Sequence, residues 1–276
     1  MSLGRWLFEK ISAYFSTDTG EERRAYLCDF GRICHELIPG DVILVEGTNR
    51  ISDVIKRVVN SRWTHAALYM GRLHNVEDPR LREIVRRHYH GSASNQVLIE
   101  TIVGQGTQIN PLSIYKNHHI RICRPVGLSY TDAQKVIGFA LKHVGHTYNT
   151  RQFLDLGRFL LASRWFIPKR WKSSLFERSS NNEITQDICS SMLAEAFVSI
   201  QFPILPVIRY NKDHQIEMIH RNPKLFTPAD FDYSPYFSII KYPVFSVPGH
   251  GPYHDLPWRE DLVSHDEGII EKQVDE

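Results

Sequence analysis

The chain has 276 residues, 42% of them hydrophobic, enough for a sizeable core. Its 33 Lys and Arg against 31 Asp and Glu leave a formal charge of +2, which excludes the strongly basic balance of a nucleic-acid binder. No apolar run reaches the roughly 18 residues that a membrane-spanning helix needs.

From the N-terminus, Leu3, Trp6, Leu7, Ile11, Tyr14 and Phe15 form an apolar stripe, so residues 1–37 are expected as a helical extension. The start lacks the apolar region of a signal peptide, and Gly4 is misplaced for myristoylation, so a cytoplasmic address is expected. Pro39-Gly40-Asp41 signals a turn before Val42-Ile43-Leu44-Val45, a short buried strand. Ile51, Ile55, Val58 and Val59 mark a short helix. Trp63 to Gly71 reads as a strand with His65, Ala67 and Tyr69 on one face. Pro79 to His90 is polar and basic and reads as a solvated helical insertion. Val97 to Val103 is a strong strand in which Glu100 stands among apolar neighbours, a costly place for an unpaired carboxylate. Ile109 to Leu112 reads as a turn and Ile120 to Arg124 as a strand. A helix opens at Thr131-Asp132-Ala133-Gln134 in capping-box style and ends at Gly145. Phe153 to Phe166 is an apolar helix followed by the aromatic and basic run Arg164 to Lys172. Ile204 to Val207 and Met218-Ile219 are short apolar pieces. Thr227 to Phe231 begins a short element, and Ser238 to Ile240 reads as a last strand. From Pro243 onward, prolines and glycines argue against regular structure, and the end is acidic. The expected organisation is an extension at 1–37, one α+β domain at 38–242 and an irregular acidic tail at 243–276.

The four cysteines, Cys28, Cys34, Cys123 and Cys189, show no C-x-x-C spacing, against a zinc ribbon, redox motif or disulfide scaffold. Cys189 is distinctive. Asp187 is placed as an N-cap, and Met192, Leu193, Ala196, Phe197 and Ile200 follow at the spacing of one buried helix face. A cysteine in the first helical turn lies near unpaired N–H groups and the positive end of the helix dipole, and both favour the thiolate. The same pattern fits a buried cysteine packed on a core helix. The deciding feature is a histidine in a matching setting.

His65 and Glu100 stand on strands that are neighbours in order. If those strands pair, the carboxylate can accept from Nδ1 of His65, and a thiol packed across from that sheet face completes a nucleophile, a base and an orienting acid. Pro39-Gly40-Asp41-Val42-Ile43, Trp63-Thr64-His65-Ala66-Ala67-Leu68-Tyr69-Met70-Gly71, Ile99-Glu100, Gly145-His146-Thr147-Tyr148-Asn149 and Ile188-Cys189-Ser190-Ser191-Met192, in that order, resemble the permuted branch of the NlpC-type papain-like superfamily. YiiX/YebB-like proteins are similar, and lecithin:retinol acyltransferase more distantly so. Thr227-Pro228-Ala229-Asp230 with Ser234-Pro235 adds to the likeness. The resemblance implies a circularly permuted papain-like fold, with a small, mostly antiparallel sheet packed on the nucleophile helix and helical insertions. It implies Cys189 as nucleophile, His65 as base, Glu100 as orienting acid and Tyr148 at the border of the substrate site. The implied activity is that of a cysteine hydrolase or acyltransferase working through a thioester, without cofactor or metal. Its substrate would be an amide in a peptide or peptidoglycan fragment, or an acylated lipid. A non-catalytic lipid- or peptide-binding module on the same fold is the alternative. Trp6, Phe15, Trp165 and Trp171 are candidate peripheral membrane contacts, since aromatic and cationic side chains suit the headgroup region.

Overall fold

The computed structural model describes residues 27–47, 52, 56, 61–102, 105–146, 189–245, 256–259, 261–265 and 268–271. Six strands form one antiparallel sheet: β1 (Val42–Glu46), β2 (His65–Gly71), β3 (Val97–Ile102), β4 (Gly106–Pro111), β5 (His119–Pro125) and β8 (Phe237–Ile240). Their order across the sheet is β4-β3-β2-β1-β5-β8, so the apolar runs of β1 and β2 lie at its centre. Alternation then fixes two faces.

On one face, Val42, Leu44, Ala66, Leu68, Met70, Val97 and Ile99 meet helices α2 (Pro79–His88), α3 (Tyr130–Lys142), α4 (Cys189–Val198) and α5 (Pro228–Tyr233). On the other, Ile43, Val45, Ala67, Tyr69, Leu98, Ile120 and Ile122 are covered by α1 (Phe30–Glu36) and the 3-10 turn Leu112–Tyr115. Both faces are therefore apolar, and the central strands show hardly any polar alternation. The first core is closed near its edge by rings: Phe237 lies within 5.5 Å of the Phe197, Phe202 and Phe231 centroids.

Local sequence explains the helix starts. Asp29 caps α1 by accepting from Arg32 N, and Ser129 caps α3 by accepting from Asp132 N, two residues before the expected start at Thr131. Thr227 and Asp230 form a reciprocal capping box on α5. The turn at Pro39-Gly40 needs glycine: φ is +100° at Gly40, and a side chain there would press on Leu128 and Ala133.

The structure corrects three expectations. Ile109 to Pro111 belongs to strand β4 rather than a turn. Helix α2 is not merely a solvated insertion, because Val85 is buried and Leu81 and Ile84 pack on the core. Within the tail expected to be irregular, β9 (Leu262–His265) and β10 (Gly268–Glu271) pair as an antiparallel hairpin. Of the segment 1–37, the described part holds α1; its apolar stripe and the Phe153 to Phe166 helix lie outside the described residues.

Candidate active site

His65 is the first residue of β2, and its position is pinned from both sides. Thr64 N donates to Val45 O at 3.2 Å, and Gly47 N donates to Thr64 Oγ1 at 2.9 Å. A Cβ at residue 47 would collide with the Ser52 hydroxyl, so glycine permits this close return of the chain. Trp63, just before, is buried. Its indole N–H donates to Asp232 Oδ2 at 3.2 Å, Asp232 is held by Arg121 at 2.5 and 2.6 Å, and the Arg121 guanidinium lies 4.6 Å from the Trp63 ring centre. This clamp ties α5 and β5 to the entrance of β2.

The register of β2 on β3, Leu68 opposite Ile99 and Tyr69 opposite Leu98, places His65 and Glu100 on one face. His65 Nε2 and Glu100 Oε2 are 2.5 Å apart. The ring nitrogen that engages the acid is thus Nε2, not the expected Nδ1. Glu100 is fully buried, yet three donors surround it: His65, the Tyr115 hydroxyl at 2.5 Å and Asn110 Nδ2 at 2.8 Å. Burial pushes its carboxyl up. The hydrogen bond and charge of His65 outweigh that, with help from Tyr115 and Asn110, so the acid is held below the usual carboxylate range. An ionised carboxylate can in turn stabilise an imidazolium.

Sequence reasoning found His65 and Glu100 but missed Asn110 and Tyr115. The available signal was indirect: a carboxylate on an apolar strand requires donors, and β4 carries Asn110 on the same face, opposite Leu98.

Cys189 opens α4, as the sequence predicts; its side chain, Asp187 and Tyr148 lie outside what the structure describes. The start of the helix is anchored by the buried Ser190, whose hydroxyl donates to Phe226 O at 2.5 Å. Met192, Leu193, Ala196 and Phe197 are buried as expected. They pack with Ala66, Leu68, Met70, Val97 and Ile99, on the face opposite His65 and Glu100. The expectation that the helix packs across the His65 face is corrected: the wholly apolar positions of β2 take the helix, and the polar ones face the other way. A second histidine–carboxylate contact lies on the helix side. His119 Nδ1 is 3.1 Å from Glu46 Oε2, Glu46 also meets Lys56 at 3.3 Å, and the Glu46 pKa is lowered to about 2, chiefly by the His119 hydrogen bond.

The other described thiols sit in settings that suppress reactivity. Burial pushes Cys28, Cys34 and Cys123 up, Cys123 most strongly. Among the described residues no group of three or more His, Cys, Asp or Glu side chains is arranged to hold a metal ion, and no helix is long and apolar enough to cross a membrane. Trp6, Phe15, Trp165 and Trp171 lie outside the described residues.

An antiparallel sheet packed on a helix that opens with cysteine, with a half-buried histidine at a strand start paired to a buried glutamate, makes an α+β fold consistent with the permuted papain-like class. Residues 36–155 match the family model described as "Permuted papain-like amidase enzyme, YaeF/YiiX, C92 family". That stretch, less than half of the chain, contains both His65 and Glu100 and is similar to these amidases. A solved structure, that of the metalloprotein yiiX from Escherichia coli O157:H7, is similar at 12% identity and a TM-score of 0.43, covering 74% of this chain and 96% of that one. No curated protein matches the chain.

Proposed function

We propose that this protein is a cysteine amidase acting through a thioester, with Cys189 as nucleophile, His65 as general base and acid, and Glu100 as the group that orients and charges the imidazole. The observation that carries the reading is the His65–Glu100 pair, whose carboxylate is buried, ionised and held by two further donors. Because Nε2 is committed to Glu100, proton exchange with the thiol falls to Nδ1. The thiol proton passes to Nδ1, and Sγ attacks the carbonyl carbon. The oxyanion is stabilised by N–H groups at the start of α4. Nδ1 then protonates the leaving amine as the C–N bond breaks. Water, deprotonated by His65, attacks the thioester and releases the acid and the thiol.

This reading requires the Cys189 thiol and His65 to come within reach of one another, while α4 itself packs on the face opposite His65. His119 and Glu46 are assigned a structural role, because Glu46 is shared with Lys56 and the His119 ring packs 5.2 Å from Trp63. The substrate class that fits is an amide in a peptide or peptidoglycan fragment, or an acyl amide of a lipid. An acceptor other than water would make the same site an acyltransferase. Intact-mass analysis after incubation with such amides tests the reading. Wild type should accumulate an acyl adduct that Cys189→Ala lacks; adducts on both would refute it.

A further inference from the structure

The two oxygens of Glu100 carry unequal duties. Oε1 accepts from Asn110 Nδ2 at 2.8 Å, while Oε2 accepts from both His65 Nε2 and the Tyr115 hydroxyl, each at 2.5 Å. A donor that merely satisfied a buried carboxylate would find a second lone pair on Oε1. The phenol sits instead on the oxygen that His65 uses.

The fold delivers Tyr115 to that oxygen. The Leu112–Tyr115 turn is a 3-10 turn, and at three residues per turn Leu112 and Tyr115 project from the same side. Leu112 is buried in the core on the His65 side of the sheet, and its N–H donates to Gln96 O at 2.9 Å. Tyr115 therefore points at the sheet as well, with its ring 6.0 Å from that of His65. Behind it, His118 N donates to Tyr115 O at 3.0 Å, and the Cys28 thiol donates to His118 O at 3.3 Å. Tyr115 is thus tied both to the entrance of β3 and to the segment before α1.

We infer that Tyr115 is a positioning residue for His65: by sharing Glu100 Oε2 it holds the acid in place and limits its pull on the imidazolium, and so sets the pH range in which His65 gives and takes a proton. A hydrogen bond from the phenol stabilises the carboxylate and makes it a weaker acceptor for His65. Only His65, Tyr115 and the neutral Asn110 bond to Glu100 among the described residues. The other titratable groups on this face stand behind them. His118 meets Tyr115 edge-on at 5.4 Å, Cys28 bonds to His118, and Cys34 and Tyr69 lie about Gln96. At the far end of the face, Arg124 is matched by Asp41 and Glu36. Strands β6 (Val207–Tyr210) and β7 (Ile216–Ile219) pair only with one another among the described residues and carry none of these groups.

The inference rests on the reading of His65 as general base, and two readouts keep them apart. NMR titration of the histidine-labelled full chain, with His65 assigned from His65→Ala, reads the imidazole itself. The pH profile of Cys189 alkylation reads the thiol. Tyr115→Phe removes the competing donor and should raise the His65 pKa by about half a pH unit or more. Replacing Tyr115 by meta-fluorotyrosine, whose phenol is more acidic and a stronger donor, should lower it. A raised imidazole pKa supports the thiolate, so the onset of Cys189 alkylation should move to lower pH in the Phe variant and to higher pH in the fluorinated one. If loss of the thermal transition shows that Tyr115→Phe does not fold, the fluorinated protein alone decides, by whether its His65 pKa falls. A His65 pKa that stays in place, or that moves the same way in both variants, would overturn the inference and leave Tyr115 a packing residue. Opposite shifts of His65 with no response at Cys189 would uphold the inference and refute His65 as the partner of the thiol.

Discussion

Replacing Glu100 by Gln keeps the size and shape of the side chain and removes its charge. The hydrogen bonds from His65 and Tyr115 converge on Oε2, and that from Asn110 reaches Oε1. If the Gln oxygen serves His65 and Tyr115, its NH2 group faces Asn110 Nδ2, donor against donor. Each retained bond loses its charge assistance, about 1 kcal/mol on the difference between charged and neutral hydrogen bonds, and the stranded donors cost about 1–3 kcal/mol more. Easier burial of a neutral amide offsets part of this. The net expectation is a loss of about 2 kcal/mol, read by urea unfolding at neutral pH. The sign with pH follows from the lowered Glu100 pKa. Its contribution is fully present above the unfolded value of about 4.3 and is lost as pH falls through the folded value, so the two proteins should converge in acid. At the thiol, losing the carboxylate should slow Cys189 alkylation by about tenfold, roughly one pKa unit of support for the imidazolium. A variant as stable and as reactive as wild type would refute the assignment of Glu100.

Arg124 spans the fully buried Asp41 at 2.9 and 3.0 Å and Glu36 at 2.7 Å. Arg124→Met should cost about 3–5 kcal/mol by stranding that carboxylate. Burial pushes the Asp41 carboxyl up even beside Arg124, so in the variant the loss should grow as pH rises and shrink as Asp41 takes up a proton, measurable as a Tm profile against pH. Phe237→Ala should cost about 3–5 kcal/mol in denaturant unfolding, since its ring fills the space between Phe197, Phe202 and Phe231. Ending the chain at Tyr233 removes β8 from β5 and should abolish cooperative unfolding, whereas ending it near Trp258 removes only the β9–β10 pair and should leave the thermal transition within a few degrees.

Strands β1, β2 and β3 are legible because largely apolar runs are what a sheet covered on both faces requires, and β5 because Ile120 and Ile122 alternate with His119 and Arg121. Strand β4 is not: Thr107, Gln108 and Asn110 break the apolar pattern, and Asn110 does so in order to serve Glu100. The polarity that disguises the strand is part of the site. Helix α2 misleads for the opposite reason, since Val85 is buried beneath a surface of arginines. His65 and Glu100 could be found because each is a titratable group on an otherwise apolar strand. Tyr115 could not, because its partner is fixed by how the Leu112–Tyr115 turn folds over the sheet, which no single-segment pattern encodes. Nor could the face on which α4 packs, which depends on how two apolar faces share the helices between them.

The most direct test of the account is the rate at which each cysteine reacts with iodoacetamide near pH 6, followed by peptide mapping. A thiolate supported by His65 has a pKa well below the ordinary thiol value of about 8.5, so Cys189 should be modified far faster than the suppressed Cys28, Cys34 and Cys123. His65→Ala should remove that advantage and move the reaction to higher pH, while His119→Ala should leave both rate and pH profile in place. A Cys189 that reacts no faster than the other three cysteines, or one whose reactivity depends on His119 and not on His65, would contradict it.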